Sequence, residues 1–249
     1  MEGIVSAKIY ERLSQVYDLD WARFALQYVP LLGEVLSERG IAQARILDLA
    51  CGTGQLAVEL ADTGHFVHGV DISPQMIEIA KSKTAGWPNV CFEVQDMVDF
   101  RVEGEFDLVT CTFDSINYLL ETDEVRAMFG RVAAVLRDLG LFAFDSNTER
   151  LYAIRHTGTY PRELGGESFV QQASYDPVRR EATVVFEFAD GTTEVHKQCP
   201  YDLEDLSGLL TDAGLRIVHA FSGFDRSPYT SESERLICVA EREPGRSGG

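Results

Sequence analysis

Ile46-Leu47-Asp48-Leu49-Ala50-Cys51-Gly52-Thr53-Gly54 joins an apolar run, a carboxylate and two glycines, and holds the densest potential chemistry in this chain. Glycines at the end of a buried strand let the backbone turn sharply and approach a ligand closely. Asp71 closes the next apolar run, where a carboxylate can accept hydrogen bonds from both hydroxyls of a ribose. Gln95-Asp96-Met97 follows a third such run. It pairs an acid with an apolar side chain, a combination that can hold an adenine amino group and one ring face. Gly52-Thr53-Gly54-Gln55-Leu56-Ala57 also satisfies the GxGxxA form of the dinucleotide fingerprint. A nicotinamide dinucleotide and an adenosyl compound with a cationic end therefore both stay open. Asp48 favours the second, since a carboxylate sits poorly beside a pyrophosphate but pairs well with an ammonium.

Groups able to move a proton are scattered. Tyr10, Tyr17 and Trp21 fall at helical spacing near the N-terminus, where aromatic packing explains them as well as function does. Asp114, Ser115, Asn117 and Tyr118 follow a fourth apolar run, and Asp145 and Asn147 end a fifth. Asp114 can accept a proton or hold an amine, or simply cap a helix. His65, His68 and His219 lie in or beside strand-like runs and read as structural. His156 and His196 fall in a later excursion of the chain, and either is suited to act as a base near neutral pH. No His, Cys and Asp cluster has metal-ligand spacing, so no metal is expected. Ser115 lacks a GxSxG context, which argues against a hydrolase nucleophile. Tyr17, Asp114 and His156 stand as the candidates for catalysis.

These positions need a scaffold that gathers strand ends. Strand-like runs at 44–50, 66–71, 90–94, 106–112 and 140–146 alternate with helix-like stretches at 54–63, 74–83, 114–120 and 122–138. That rhythm predicts parallel strands joined by helical crossovers. Ser73-Pro74 is a helix start, with serine as cap and proline at the first helical position. Residues 5–39 carry apolar side chains at helical spacing, with Gly40 as a stop. After Asn147 the rhythm changes. Residues 148–165 read as irregular, and runs at 167–175, 181–189 and 192–198 are divided by Asp176-Pro177 and Asp190-Gly191 turns. This predicts a small antiparallel meander with Val184, Phe186 and Phe188 on one face. A helix at 201–213 and strands at 215–222 and 234–241 follow. The expected class is α/β, a doubly wound, mostly parallel seven-stranded sheet with a small antiparallel β insert. The expected parts are an N-terminal helical cap over 1–40, a core over 41–147 and 201–242, an insert or lid over 148–200, and a disordered tail over 243–249.

The 249 residues can bury one sizeable core. A net charge of −18 works against contact with nucleic-acid phosphates and can steer a cationic substrate, besides keeping the protein soluble. No apolar stretch is long enough to predict a membrane span, and Met1-Glu2-Gly3 lacks a secretory pattern. Five scattered cysteines without a CxxC pair fit a reducing, cytoplasmic setting. The insert can cover a pocket or mediate a dimer, so monomer and homodimer both stay open.

Over residues 5–242 the chain resembles the class I S-adenosylmethionine-dependent methyltransferases. The resemblance is carried by DLACGTG at 48–54, GVDIS at 69–73, QDM at 95–97 and FDLVTCTFDSINYL at 106–119. The last segment resembles a subgroup of small bacterial members with an N-terminal cap and a β-rich insert, which includes sugar-amine N-methyltransferases. The resemblance implies a Rossmann-like methyltransferase fold, S-adenosylmethionine as cofactor, and transfer to nitrogen or oxygen of a small-molecule acceptor. By it, Asp48, Ala50, Gly52 and Gly54 line the methionine end, Asp71 binds the ribose, and Ile72 and Met76 pack nearby. Asp96 and Met97 face the adenine, and Thr112 and Phe113 approach the sulfonium. Tyr10, Tyr17 and Trp21 fall in the segment that resembles the closing cap. An NAD-dependent oxidoreductase and a non-catalytic S-adenosylmethionine-binding module are the alternatives left open.

Overall fold

Along Arg45–Leu49, Ile46 faces one side of a sheet while Leu47 and Leu49 face the other, the two-residue period that lets a strand be buried on both faces. The structure, a computed structural model, describes residues 5–245. The chain enters through β1 (Val5–Ser6), α1 (Ser14–Asp20), a 3-10 turn at Ala22–Gln27 and α2 (Tyr28–Glu38). The core follows as β2 (Arg45–Leu49), α3 (Gln55–Asp62), β3 (Phe66–Asp71), α4 (Pro74–Lys83) and β4 (Val90–Val94). Next come β5 (Phe106–Cys111), a 3-10 turn at Ser115–Tyr118, α5 (Thr122–Val135) and β6 (Leu136–Asn147). An excursion then runs through α6 (Glu149–Arg155), β7 (Gly158–Leu164), β8 (Glu167–Asp176), β9 (Glu181–Phe188) and β10 (Thr192–Gln198). The chain returns through α7 (Leu203–Asp212), β11 (Leu215–Phe221) and β12 (Arg235–Arg242).

The core sheet has seven strands in the order β11-β12-β6-β5-β2-β3-β4, all parallel except β12, which opposes both its neighbours. The chain begins in the middle at β2, steps outward through β3 and β4, then crosses back to β5. That reversal opens a crevice beyond the carboxyl ends of β2 and β5, where sheets of this kind bind ligands. Val125 and Phe129 of α5 and Leu206 and Leu210 of α7 cover Leu47, Val109 and Phe142 on one face. Leu32 of α2, Leu56 and Leu60 of α3, and Ile77 of α4 cover Ile46, Leu108 and Leu141 on the other. Each of these large side chains contributes about 1.5–3 kcal/mol by leaving water.

The second sheet has the order β1-β10-β9-β8-β7, with β1 parallel to β10 and the rest antiparallel. Phe169, Val184, Phe186 and Phe188 share its buried face and pack on Leu13 and Val16 at the start of α1. The insert therefore rests on the N-terminal segment of its own chain.

Three local expectations are corrected. Residues 5–39 are not helical throughout, because Val5–Ser6 pairs with Thr192–Thr193 as a strand. The stretch 148–165 is ordered as α6 and β7, so the meander has four strands. Pro161 is compatible with β7 because that strand lies at the sheet edge. The segment 114–120 is a single 3-10 turn, entered through Phe113 and Asp114 in the left-handed region (φ 60° and 50°). Residues 1–4 of the expected cap and 246–249 of the expected tail lie outside the described residues. Within 243–245, the Glu243 amide donates to the Gly214 carbonyl at 2.9 Å. Among the described residues, no helix is long and apolar enough to cross a membrane.

Candidate active site

Asp48 stands at the carboxyl end of β2, 2% exposed, on the same strand face as Ile46. Thr110, its register partner on β5, donates its hydroxyl to Asp48 Oδ1 at 2.7 Å. Asp48 Oδ2 has no hydrogen-bond partner. Burial pushes this carboxyl up to about 7, with the Thr110 hydroxyl opposing the rise and the nearby Asp71 adding to it. A buried carboxyl with one oxygen unpaired is an incomplete arrangement that a cation would complete.

The turn after β2 is made by three left-handed residues, Ala50, Gly52 and Gly54, at φ 52°, 54° and 75°. It aims the Gly52 amide at Asp71 Oδ2 (2.8 Å), while the Ser73 amide donates to Asp71 Oδ1 (2.8 Å). Each oxygen keeps a further lone pair. Burial raises the Asp71 carboxyl, and the two amides partly offset that. The two glycines differ in role. A Cβ on Gly52 would meet nothing within 4 Å, whereas one on Gly54 would lie 2.9 Å from both the Ala80 Cβ and the Phe92 ring. Gly54 is thus a packing residue at the start of α3.

These elements enclose a cavity of about 280 Å³. Tyr17, Asp48, Ala50, Gly52 and Asp71 line it, together with Ile72, Met76, Asp96, Met97, Thr112 and Phe113. Four carboxylates (Asp48, Asp71, Asp96 and Glu124) belong to its walls, which contain no Lys, Arg or His among the described residues. The structure also brings no group of three or more His, Cys, Asp or Glu together as a metal site among the described residues.

Gly54, Asp114 and His156 do not line the cavity. The left-handed backbone at Phe113 and Asp114 directs the Asp114 carboxylate into a buried cluster. There it accepts from Gln198 Nε2 (2.9 Å) and pairs with Arg235 (3.3 Å), whose guanidinium also pairs with the fully buried Asp145. Burial raises the Asp114 carboxyl against the pull of Arg235. Asp114 is therefore held in a charged cluster near the cavity-lining tyrosines Tyr10, Tyr17 and Tyr118. His156 ends α6 and packs edge-on against Tyr152, with ring centroids 4.9 Å apart, and burial lowers its imidazole.

The cap supplies the remaining wall. Tyr10 and Tyr17 meet edge to face at 5.9 Å, and Phe113 lies 6.5 Å from Tyr17. Asp18 of α1 accepts a hydrogen bond from Thr53 in the glycine turn. The Tyr10 and Tyr118 hydroxyls are 2.7 Å apart, Tyr118 Oη lies 2.9 Å from His196 Nδ1, and His196 Nε2 lies 3.2 Å from Glu194 Oε2. Sequence reasoning left His196 open and missed Glu194. The available signal was the β10 pattern, where Glu194, His196 and Gln198 occupy the buried face and Val195 and Lys197 the exposed one.

Residues 46–140 match the family model described as a methyltransferase domain. A Geobacillus sp. (strain WCH70) protein, named as a methyltransferase without a stated acceptor, is 34% identical over 208 residues, covering 80% of this chain and 84% of that one. The crystal structure of a S-adenosylmethionine-dependent methyltransferase from Clostridium acetobutylicum ATCC 824 superimposes with a TM-score of 0.80 at 23% identity, covering 94% of this chain and 99% of that one. A sugar N-methyltransferase from Streptoalloteichus sp. ATCC 53650 gives a TM-score of 0.69 at 25% identity, covering 98% and 96%.

Proposed function

This chain belongs to the class I S-adenosylmethionine-dependent methyltransferases, and from that premise we propose that its acceptor is the nitrogen of a small amine. The observation that carries this reading is the charge of the cavity, whose walls hold four carboxylates and no cationic side chain among the described residues. A wall of that sign attracts a cationic acceptor as well as the cationic cofactor, and repels phosphorylated acceptors and nucleic acid. The similarity to a sugar N-methyltransferase supports the same choice.

When bound, S-adenosylmethionine supplies an electrophilic methyl group on a sulfonium. The residues fit that molecule. Asp48 Oδ2, buried and unpaired, takes the ammonium of the methionine moiety. Asp71 accepts from the ribose hydroxyls, and Gly52 leaves room for the ligand beside it. Asp96 accepts from the adenine amino group, with Ile72 and Met97 against the ring. Thr112, Phe113 and Tyr17 wall the reacting centre and exclude water from it. Methyl transfer needs such placement and dryness more than it needs a dedicated acid.

Calorimetric titration with S-adenosylmethionine, S-adenosylhomocysteine and NAD tests the cofactor assignment, with micromolar binding expected for the first two and none for NAD. Release of S-adenosylhomocysteine is then followed with primary amines from ethanolamine to glucosamine, each paired with the alcohol of the same skeleton. Turnover of amines and not of their alcohols is expected. Turnover of the alcohols alone overturns the amine reading.

A further inference from the structure

We propose that Tyr10, Tyr118, His196 and Glu194 form a proton relay that takes the proton from the acceptor and delivers it to His196. The inference rests on the amine reading for the identity of the proton donor, and on hydrogen-bond accounting for its direction.

Glu194 is fully buried in β10. Its oxygens accept from the backbone amides of Tyr10 (3.0 Å), Leu13 (2.9 Å) and Arg12. An ionised carboxylate can only accept, so its contact with His196 requires the proton on Nε2. His196 Nδ1 is then a bare lone pair, and its 2.9 Å contact takes the hydroxyl hydrogen of Tyr118. Tyr118 has only one hydrogen, so the 2.7 Å contact between the tyrosines is donated by Tyr10. Both tyrosine hydroxyls in the relay thus donate in the direction of His196. Tyr10 and Tyr118 both belong to the cavity wall, and Tyr10 Oη keeps a lone pair with which to receive a proton.

The steps balance. An ammonium proton of the acceptor passes to Tyr10 Oη as the Tyr10 proton moves to Tyr118 and the Tyr118 proton moves to His196 Nδ1. Both tyrosines end neutral, and the new imidazolium is met by the Glu194 carboxylate. The freed nitrogen lone pair forms the bond to the methyl carbon, and the electrons of the sulfur–methyl bond stay on sulfur. The proton returns to solvent by the reverse path after the product leaves. Among the described residues, the titratable groups in contact with His196 are Tyr10, Tyr118 and Glu194, while Val184 and Phe186 of β9, also beside it, do not titrate. Asp114 adds its charge to both tyrosines. Tyr10 receives the acceptor's proton and Tyr118 passes a proton on, so both handle the reacting proton in this scheme. His196 and Glu194 act through them.

Nitrogen-15 NMR of histidine-labelled protein saturated with S-adenosylhomocysteine reads the His196 tautomer directly. A protonated Nε2 and bare Nδ1 are expected, and the opposite tautomer overturns the relay. His196→Gln and Tyr118→Phe are expected to lower kcat on the amine probes by about 100-fold or more, with S-adenosylhomocysteine affinity unchanged. The deficit should shrink as pH is raised, because an amine already free of its proton needs no base. A deficit equal at all pH values, or no deficit, overturns the relay. Glu194→Gln, whose amide can donate as well as accept, should mix the two tautomers. Wild-type protein that methylates only the alcohol probes overturns the amine reading, and the same two variants then judge the relay on those probes.

Discussion

The Asp18 carboxylate of α1 lies 2.6 Å from the Lys83 ammonium of α4 and also accepts the Thr53 hydroxyl, so one side chain fastens the cap to the glycine turn and to the helix after β3. If a cofactor is held beneath α1, its release can require that fastening to part. The pair is about a third exposed at its carboxylate, at 36%, so its strength is that of a partly screened surface pair, about 0.2–1 kcal/mol. Asp18→Asn is therefore expected to speed release of S-adenosylhomocysteine by about two- to fivefold, and to weaken the dependence of release on salt. Stopped-flow dissociation measures both. An unchanged rate would mean that the cap opens without parting this contact.

Asp48 makes the ligand-free protein pay for its readiness to bind. Its carboxyl holds a proton more tightly folded, at about 7, than unfolded. The stability it contributes is present below the ordinary carboxylate range and is lost as pH rises through about 7. Asp48→Asn removes the charge and keeps the shape. Without ligand at pH 8 it should exceed the parent in stability by roughly 2–4 kcal/mol, a gap that narrows as pH falls toward 5. The same variant should lose S-adenosylmethionine binding. Urea unfolding at several pH values, beside calorimetry, gives the answer, and a gap constant with pH would contradict the argument.

Gly52→Ala and Gly54→Ala should fail differently. At Gly52 the added methyl meets no protein atom, and the left-handed backbone costs about 1–2 kcal/mol, so the variant folds. Its cofactor Kd is expected to rise about tenfold or more, since the methyl group takes up space at the cavity wall. At Gly54 the methyl meets Ala80 and the Phe92 ring, and a large loss of thermal stability is expected. Thermal unfolding paired with titration separates the two, and the reverse pattern would exchange their roles.

The cofactor half of the site is legible in the sequence because it is local. Asp48 through Gly54 and Asp71 through Ser73 are short segments, and strand alternation with Ser73-Pro74 fixes their places. The runs 66–71, 90–94 and 192–198 coincide with β3, β4 and β10 for the same reason. β7 was hidden by Pro161 and the flanking glycines, which act as breakers everywhere except at a sheet edge. Asp114 follows a left-handed Phe113 and is itself left-handed, its carboxylate is taken by Gln198 and Arg235, and no spacing rule announces a backbone or partners of that kind.

The buried cluster around His196 depends on pairings across the chain. β10 reads Thr-Thr-Glu-Val-His-Lys-Gln, with its apolar Val195 outside beside Lys197 and its polar Glu194, His196 and Gln198 inside. Buried Glu194 and His196 require partners from other segments, and those partners are Tyr10, Arg12, Leu13 and Tyr118. An inverted strand pattern is a sign of a site, although it does not reveal which segment will answer it.

Because β1 pairs with β10, and Leu13 and Val16 complete the apolar face of the insert, the N-terminal segment and the insert are one folded body encoded in two distant stretches. If this body forms the acceptor chamber as proposed, recombination that moves an acceptor preference must carry both stretches. A chimaera that imports residues 158–198 alone sets their apolar face and Glu194 against another parent's N-terminal stretch, and one that imports the N-terminal stretch alone sets the Tyr10, Arg12 and Leu13 amides against another parent's strand. Substitutions within this body are the simpler route by which such a chamber can drift, while the cofactor turn, built from one short stretch, is free to stay as it is.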